Sequence, residues 1–334
     1  MNTLHRFQAA ADNHPELKPF LHTISGADDV RNVAGAWQFT GEMPGWKGYV
    51  CKYDGYVHSA NALKGIYCES RKKGIGFFLG ANTGAIENIV YEGAGDNRKS
   101  IGIKTKAGRF HAAKLVVVAV GAAAHKILPE LGTEVTAKSW TVAHVRLTYN
   151  ETAALRGIPV TYARDLGFFF EPDPKTNLLK ICPMGAGYIN TNPLTGISEA
   201  PDRLMRFVPK GDERKMRELL RQTLPYLADR PLVEPFICWF ADTANSDFII
   251  DYVPNTSSSV LVLSGDSGHG FKMLPIVGQW VNSLLNSQDG KQTIERWRWR
   301  TPKSKEKSFD DDVSWRIGNV MEIRDIQEHS PSKL

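Results

Sequence analysis

The run Gly265-Asp266-Ser267-Gly268-His269-Gly270-Phe271-Lys272 follows four apolar residues, Val260-Leu261-Val262-Leu263. A buried strand that ends in a glycine-rich turn can aim several backbone N–H groups at one point, because glycine takes positive φ without steric cost. Apolar spacing through Leu274, Val277, Val281 and Leu284 predicts a helix directly after the turn, and its N-terminus would add partial positive charge. Lys272 adds a full charge at that helix start, where lysine is electrostatically disfavoured and asks for an anionic partner. Such a turn suits a ligand whose oxygens or ring nitrogens gain negative charge during reaction.

Two other residues stand out by context. Lys180 interrupts the apolar run Leu178-Leu179-Lys180-Ile181-Cys182; taken alone it reads as a strand lysine that carries its head to solvent. Cys238, in Pro235-Phe236-Ile237-Cys238-Trp239, reads as a small buried hydrophobe. The cysteines Cys51, Cys68, Cys182 and Cys238 show neither C-x-x-C nor metal-like spacing with histidine, so no metal is expected. Residues 1–24 lack the apolar run of a secretory leader and carry Pro15 and Pro19, which predicts a reducing compartment with unpaired thiols.

These residues need a scaffold. At 334 residues and 42% hydrophobic, the chain can bury a large core. Its formal charge of +5 is too small, and too dispersed, for a nucleic-acid face. The densest basic stretch, residues 296–307, holds Trp297 and Trp299 without any nucleic-acid motif, and no apolar run reaches the length of a membrane span. Residues 4–11 suit a short helix in an otherwise irregular N-terminal stretch. Residues 55–74 read as a helix through Val57, Ala60, Leu63, Ile66 and Tyr67, stopped by Gly74. Phe77-Phe78-Leu79 reads as a short strand, and residues 86–91 and 101–104 as a strand pair. Residues 115–121, apolar on both faces, read as a central parallel strand whose terminal Gly121 allows close backbone approach. Residues 140–149, 168–170 and 178–182 predict a mixed sheet. Asp212 is expected to cap a helix bearing Met216, Leu219, Leu220, Leu224 and Leu227.

Together with Gly45-Trp46-Lys47-Gly48-Tyr49, Gly167-Phe168-Phe169-Phe170-Glu171-Pro172-Asp173 and Cys238-Trp239-Phe240-Ala241-Asp242-Thr243-Ala244-Asn245, the 265–272 run resembles the fungal fructosyl amino acid oxidases (amadoriases), of the sarcosine-oxidase-like flavoproteins. The resemblance runs from Pro44 to the C-terminus. It implies an α/β (mixed α+β) fold in which an FAD-binding Rossmann-like domain is interleaved with a mixed antiparallel substrate sheet. It implies FAD held by a thioether to Cys238 and contacted by Gly121, Asp266, Ser267, Gly268, His269, Gly270, Phe271 and Lys272. Lys180 and Lys272 take the catalytic roles, Lys180 toward oxygen and Lys272 toward substrate. Arg316, in Trp315-Arg316-Ile317-Gly318, matches the arginine that clamps a substrate carboxylate. Met184 stands where these enzymes carry a glutamate against the fructosyl amine, which opens the specificity to saccharopine, pipecolate or sarcosine-type amines.

The family's opening strand–G-x-G-x-x-G–helix is expected to be missing: Gly93-Ala94-Gly95 and Gly185-Ala186-Gly187 do not supply it. The FAD-binding domain is therefore expected to be incomplete, divided as residues 1–56 (remnant segment), 57–138 (FAD-binding), 139–237 (substrate sheet), 238–300 (return to FAD-binding) and 301–334 (tail). The expected reaction takes a secondary amine, most directly a fructosyl amino acid, with O2 and water to the amino acid, glucosone and hydrogen peroxide. The expectation of another class is a catalytically inactive flavoprotein remnant. Ser332-Lys333-Leu334 has the form of a peroxisomal address, read by an import receptor. A monomer with no nucleic-acid or membrane partner completes the expectation.

Overall fold

The computed structural model describes residues 2–300 and 318–327. Helix α1 (Asn2–Asn13) leads into β1 (Leu21–Ser25), α2 (Ala27–Ala34) and β2 (Lys47–Cys51), so the N-terminal stretch is more ordered than its polar composition predicts. β1 and β2 pair antiparallel, and the intervening loop docks on the molecule's main helix. There the Gly41 and Met43 amides donate to Thr223 O and Gln222 O, and the Trp46 indole donates to Gln222 Oε1 at 2.7 Å.

Helix α3 (Ser59–Lys72) lies where the apolar spacing put it, but none of its residues is buried. Phe77-Phe78-Leu79 forms no strand and is exposed. Next come β3 (Ile86–Glu92), β4 (Lys99–Thr105) and β5 (Phe110–Ala112), an antiparallel sheet of their own. β6 (Val116–Val118) is shorter than expected. Among the described residues it is the edge, not the centre, of a three-stranded sheet.

After α4 (Ala124–Ile127), the largest sheet is built around the long strand β7 (Thr136–Arg146). Helix α5 (Tyr149–Ala154) precedes β8 (Thr161–Ala163), β9 (Gly167–Phe169), β10 (Leu178–Pro183) and β11 (Tyr188–Ile189). Helix α6 (Lys210–Thr223) leads to the second long strand, β12 (Leu232–Asp242). β12 lies along one edge of β7, and β10 and β11 lie along the other, all antiparallel to it. The expected divisions after residues 138 and 237 thus fall inside two paired strands. β13 (Ile249–Tyr252) and β14 (Val260–Ser264) complete the β6 sheet, with β14 parallel to β6. α7 (Val277–Leu285), β15 (Met321–Glu322) and α8 (Ile323–Gln327) end the described chain.

Alternation gives the large sheet two unlike faces. Ala143, Val145, Phe169, Leu179 and Ile181 are buried against Met216, Leu219 and Leu220 of α6, which sit at helical spacing. Each of the larger side chains buried here contributes about 1.5–3 kcal/mol. Asp212 does not cap α6, whose N-cap is Pro209. Its carboxylate turns inward and accepts from Thr141 Oγ1 at 2.5 Å, and burial pushes its pKa up. Among the described residues no helix covers the other face of the sheet as α6 covers this one, and that other face carries the site.

Candidate functional site

Antiparallel partners point their side chains to one face. In the β7 ladder Lys180 lies opposite His144, and Cys238 opposite Trp140. Two strands on different sides of β7 therefore bring the lysine and the cysteine onto a common surface, joined there by Phe168, the cross-strand partner of Cys182. Cys238 is exposed on this surface, contrary to the buried reading of its apolar strand. The sheet beneath it still desolvates the thiol and raises its pKa, while Lys180 acts in the opposite direction. The Lys180 ammonium stands 5.7 Å from the centre of the Phe170 ring, a loose cation–π contact.

The glycine turn closes over the same surface. It follows β14 at its C-terminal end, and Gly121 follows the adjacent parallel strand β6 in the same direction, the end at which open parallel sheets bind ligands. Gly268 has φ +75°, and a Cβ there would lie 2.5 Å from Trp140 Cζ3. Only glycine lets the turn lie against that indole. Gly265, also at φ +75°, would drive a Cβ to 2.8 Å from Thr243 Cγ2. Asp266 holds the turn from within, accepting from the amides of Ala241 (3.0 Å) and Gly268 (3.0 Å). Burial raises its pKa, and these two bonds pull the other way. Beneath, Lys138 and Asp242 form a buried ion pair at 2.9 Å.

Two expectations about the turn need correction. The residues after it form a 3-10 turn, Gly270–Met273, and α7 begins only at Val277, so Lys272 does not sit at an α-helix start. Of the residues predicted to form that helix's inner face, only Leu284 is buried. The donors are also partly used: Ser267 N–H bonds Ala241 O at 2.8 Å, Gly268 N–H bonds Asp266, and His269 N–H bonds Asp266 O at 2.8 Å. Positive character toward a ligand therefore comes from the Lys272 and Lys180 side chains rather than from these three amides.

A cavity of about 1340 Å³ opens between the turn and α3. One wall is Trp140, Tyr162, Phe168, Phe170, Met184, Ser267, Gly268, His269, Phe271 and Lys272; the other is Tyr56, Val57, the α3 residues Ala62, Gly65, Ile66, Glu69 and Ser70, and Lys73 just after the helix. Of the spaced apolar residues Ala60, Leu63, Ile66 and Tyr67 of α3, only Ile66 lines this cavity; the other three neither line it nor enter a core. Burial lowers the pKa of His269, with the Lys272 charge adding to the effect, so its ring is neutral near pH 7. Ser267, Gly268, His269, Phe271, Lys272 and Met184 are thus together at the cavity, and Asp266 and Gly270 belong to its turn. Lys180 and Cys238 lie on the adjoining sheet surface. Gly121 is not a lining residue, and Arg316 and the C-terminal Ser332-Lys333-Leu334 lie outside the described residues. Trp140, Tyr162 and Tyr56 were not singled out from the sequence; nothing but aromatic type marks them, and only packing reveals that they face the cavity.

An aromatic wall, a turn pressed flat on an indole, two lysines and an accessible thiol fit a planar, electron-accepting ring system. Cys238, Lys180 and the 266–272 turn are the residues that would hold it, and a cavity above the usual range for one drug-sized ligand has room for a substrate beside it.

This fold and site define a class, and the chain belongs to it: the model of the DAO family, FAD dependent oxidoreductases, matches residues 3–284. Among particular proteins, the chain is similar to fructosamine oxidase (Amadoriase II) from Aspergillus fumigatus, with a TM-score of 0.82 and 31% identity over 92% of this chain and 73% of that one. Fructosyl peptide oxidase from E. terrenum superposes with a TM-score of 0.81 at 27% identity, covering 97% of this chain and 74% of that one. The L-saccharopine oxidase of Schizosaccharomyces pombe is 29% identical over 291 residues, 83% of this chain. The chain spans 65% of that relative's length. The amadoriase resemblance and the mixed α/β fold read from the motifs therefore hold.

Proposed function

We propose that the protein is an FAD-dependent oxidase of secondary amines, acting on fructosyl amino acids or a related N-substituted amino acid. The observation that carries this reading is the convergence of Cys238, Lys180 and Lys272 on one aromatic surface from three separate parts of the chain. FAD, when bound, supplies the acceptor for the electrons of the C–H bond beside the amine nitrogen and passes them to O2; water then hydrolyses the imine, and hydrogen peroxide leaves.

The chain's own residues do the rest. Cys238, exposed beside Trp140, is positioned to anchor the cofactor through its sulfur. Lys272 offers a cation to a substrate carboxylate at the cavity wall. Lys180 holds a positive charge over the sheet, where reduction of O2 creates an anion that it stabilises. Ser332-Lys333-Leu334 fits import into peroxisomes, where peroxide is disposed of.

A second reading keeps the chemistry and changes the substrate. Met184, buried at the cavity wall, provides no carboxylate for a fructosyl ammonium. That favours a saccharopine-type or N-methyl amino acid, in line with the saccharopine oxidase relative. Purified protein incubated with fructosyl lysine, saccharopine, pipecolate and sarcosine, with peroxide detection, separates these. Flavin absorbance together with peroxide from at least one amine supports the oxidase; absence of both rejects it.

A further inference from the structure

We propose that Glu171 is a positioning residue that fixes the mouth of the cavity by binding two distant chain segments at once. The Tyr56 hydroxyl donates to Glu171 Oε1, and the Gly157 amide donates to Oε2 at 2.5 Å. One carboxylate thereby joins the lead of α3, the loop between α5 and β8, and its own loop after β9. A second link lies beside it: His58 Nε2 is 3.7 Å from Asp173 Oδ2, while His58 Nδ1 accepts the Asn61 amide as the N-cap of α3. A single tautomer, with the proton on Nε2, serves both.

The position of this clasp gives it consequence. No residue of α3 is buried, so packing does little to hold the helix, although Ala62, Gly65, Ile66, Glu69 and Ser70 line one side of the cavity. The Tyr56 ring lies 5.7 Å from Phe170, which meets Phe168 edge-on at 5.7 Å, and all three line the cavity. Glu171 thus sets the distance between the α3 wall and the aromatic wall, and with it the size of group admitted. Burial, then the bond to Glu171, pushes the Tyr56 hydroxyl pKa up to about 12, so it remains a donor throughout the working range.

The claim about substrate size rests on the cavity being the amine site; the claim about the clasp does not. The test uses the full chain with Tyr56→Phe, which keeps the ring on Phe170 and removes only the donor, and Glu171→Gln. Amide hydrogen exchange over residues 53–62 should rise about tenfold in both, as expected for loss of a charge-assisted hydrogen bond, while β7 and α6 stay protected. With active enzyme, KM for bulky and small amines should converge, with kcat falling far less than KM rises. Unchanged exchange over 53–62 in both variants overturns the clasp. Raised exchange with an unaltered KM pattern overturns its role in specificity. If flavin absorbance and amine oxidation were absent from the parent protein, the oxidase reading would fall while the exchange data still decided the clasp.

Discussion

Cys238 and Trp140 are directly opposed in the β12–β7 ladder, and the same indole is the surface on which Gly268 rests. A thiol, an aromatic plate and a glycine turn are thereby locked in one register. A slip of one residue along β12 would send the thiol to the opposite face, into the core.

Cys238→Ala tests the anchor. Because the side chain is exposed, unfolding free energy should change by no more than ~0.5 kcal/mol. Acid precipitation of the parent protein should leave yellow colour on the polypeptide, and the variant should release it to the supernatant. Colour retained by the variant rejects the thioether.

Lys180→Met removes the charge and keeps the length. Rapid mixing of reduced protein with O2 should show reoxidation slowed roughly 10²-fold, in the range for loss of one stabilising group. Anaerobic reduction by amine should change far less. Equal losses in both half-reactions would rule out a specific role toward oxygen.

Gly268→Ala places a methyl against Trp140 at a backbone angle that side chains rarely adopt. The combined strain should cost about 1–3 kcal/mol in urea unfolding. Pairing it with Trp140→Leu should recover the steric part but not the backbone part. Additive losses in the double variant would show that the two residues are not in contact.

The acid limb of stability should depend on Glu151. The Arg230 guanidinium holds its carboxyl down at about 2, with a further bond from the Thr148 amide. A folded-state value below the unfolded one means that the pair stabilises fully above about pH 4.5, and that its contribution is lost as pH falls toward about 2. Glu151→Gln should thus be less stable than the parent at pH 6, with the gap narrowing as pH falls toward about 2. A gap independent of pH would show that the Glu151 charge is not what stabilises the fold here.

Much of this was legible one element at a time. The Pro174-Lys175-Thr176-Asn177 turn announces β10, and Asn177 does take a left-handed φ of 56°. The α6 spacing names its buried face, and the glycines of 265–270 announce a crowded turn. Less legible was what each element meets. The apolar residues of α3 obey helical periodicity, yet none of them is buried, because periodicity does not say whether a partner surface is there to cover them. Asp212 has the composition of a cap and the role of a buried acceptor. The 3-10 turn at 270–273 displaces α7 from the glycines, because the turn is pinned to β12 through Asp266 and Ser267, a contact between residues 25 or more apart in the chain.

Short-range patterns, set by backbone sterics and side-chain type, sufficed to name the strands, the glycine turn and the family motifs of this protein. The meeting of Lys180, Cys238 and Lys272 was decided only in three dimensions. Strand pairing joins residues by register rather than by proximity in the chain, and no local propensity encodes which edge of β7 each partner takes.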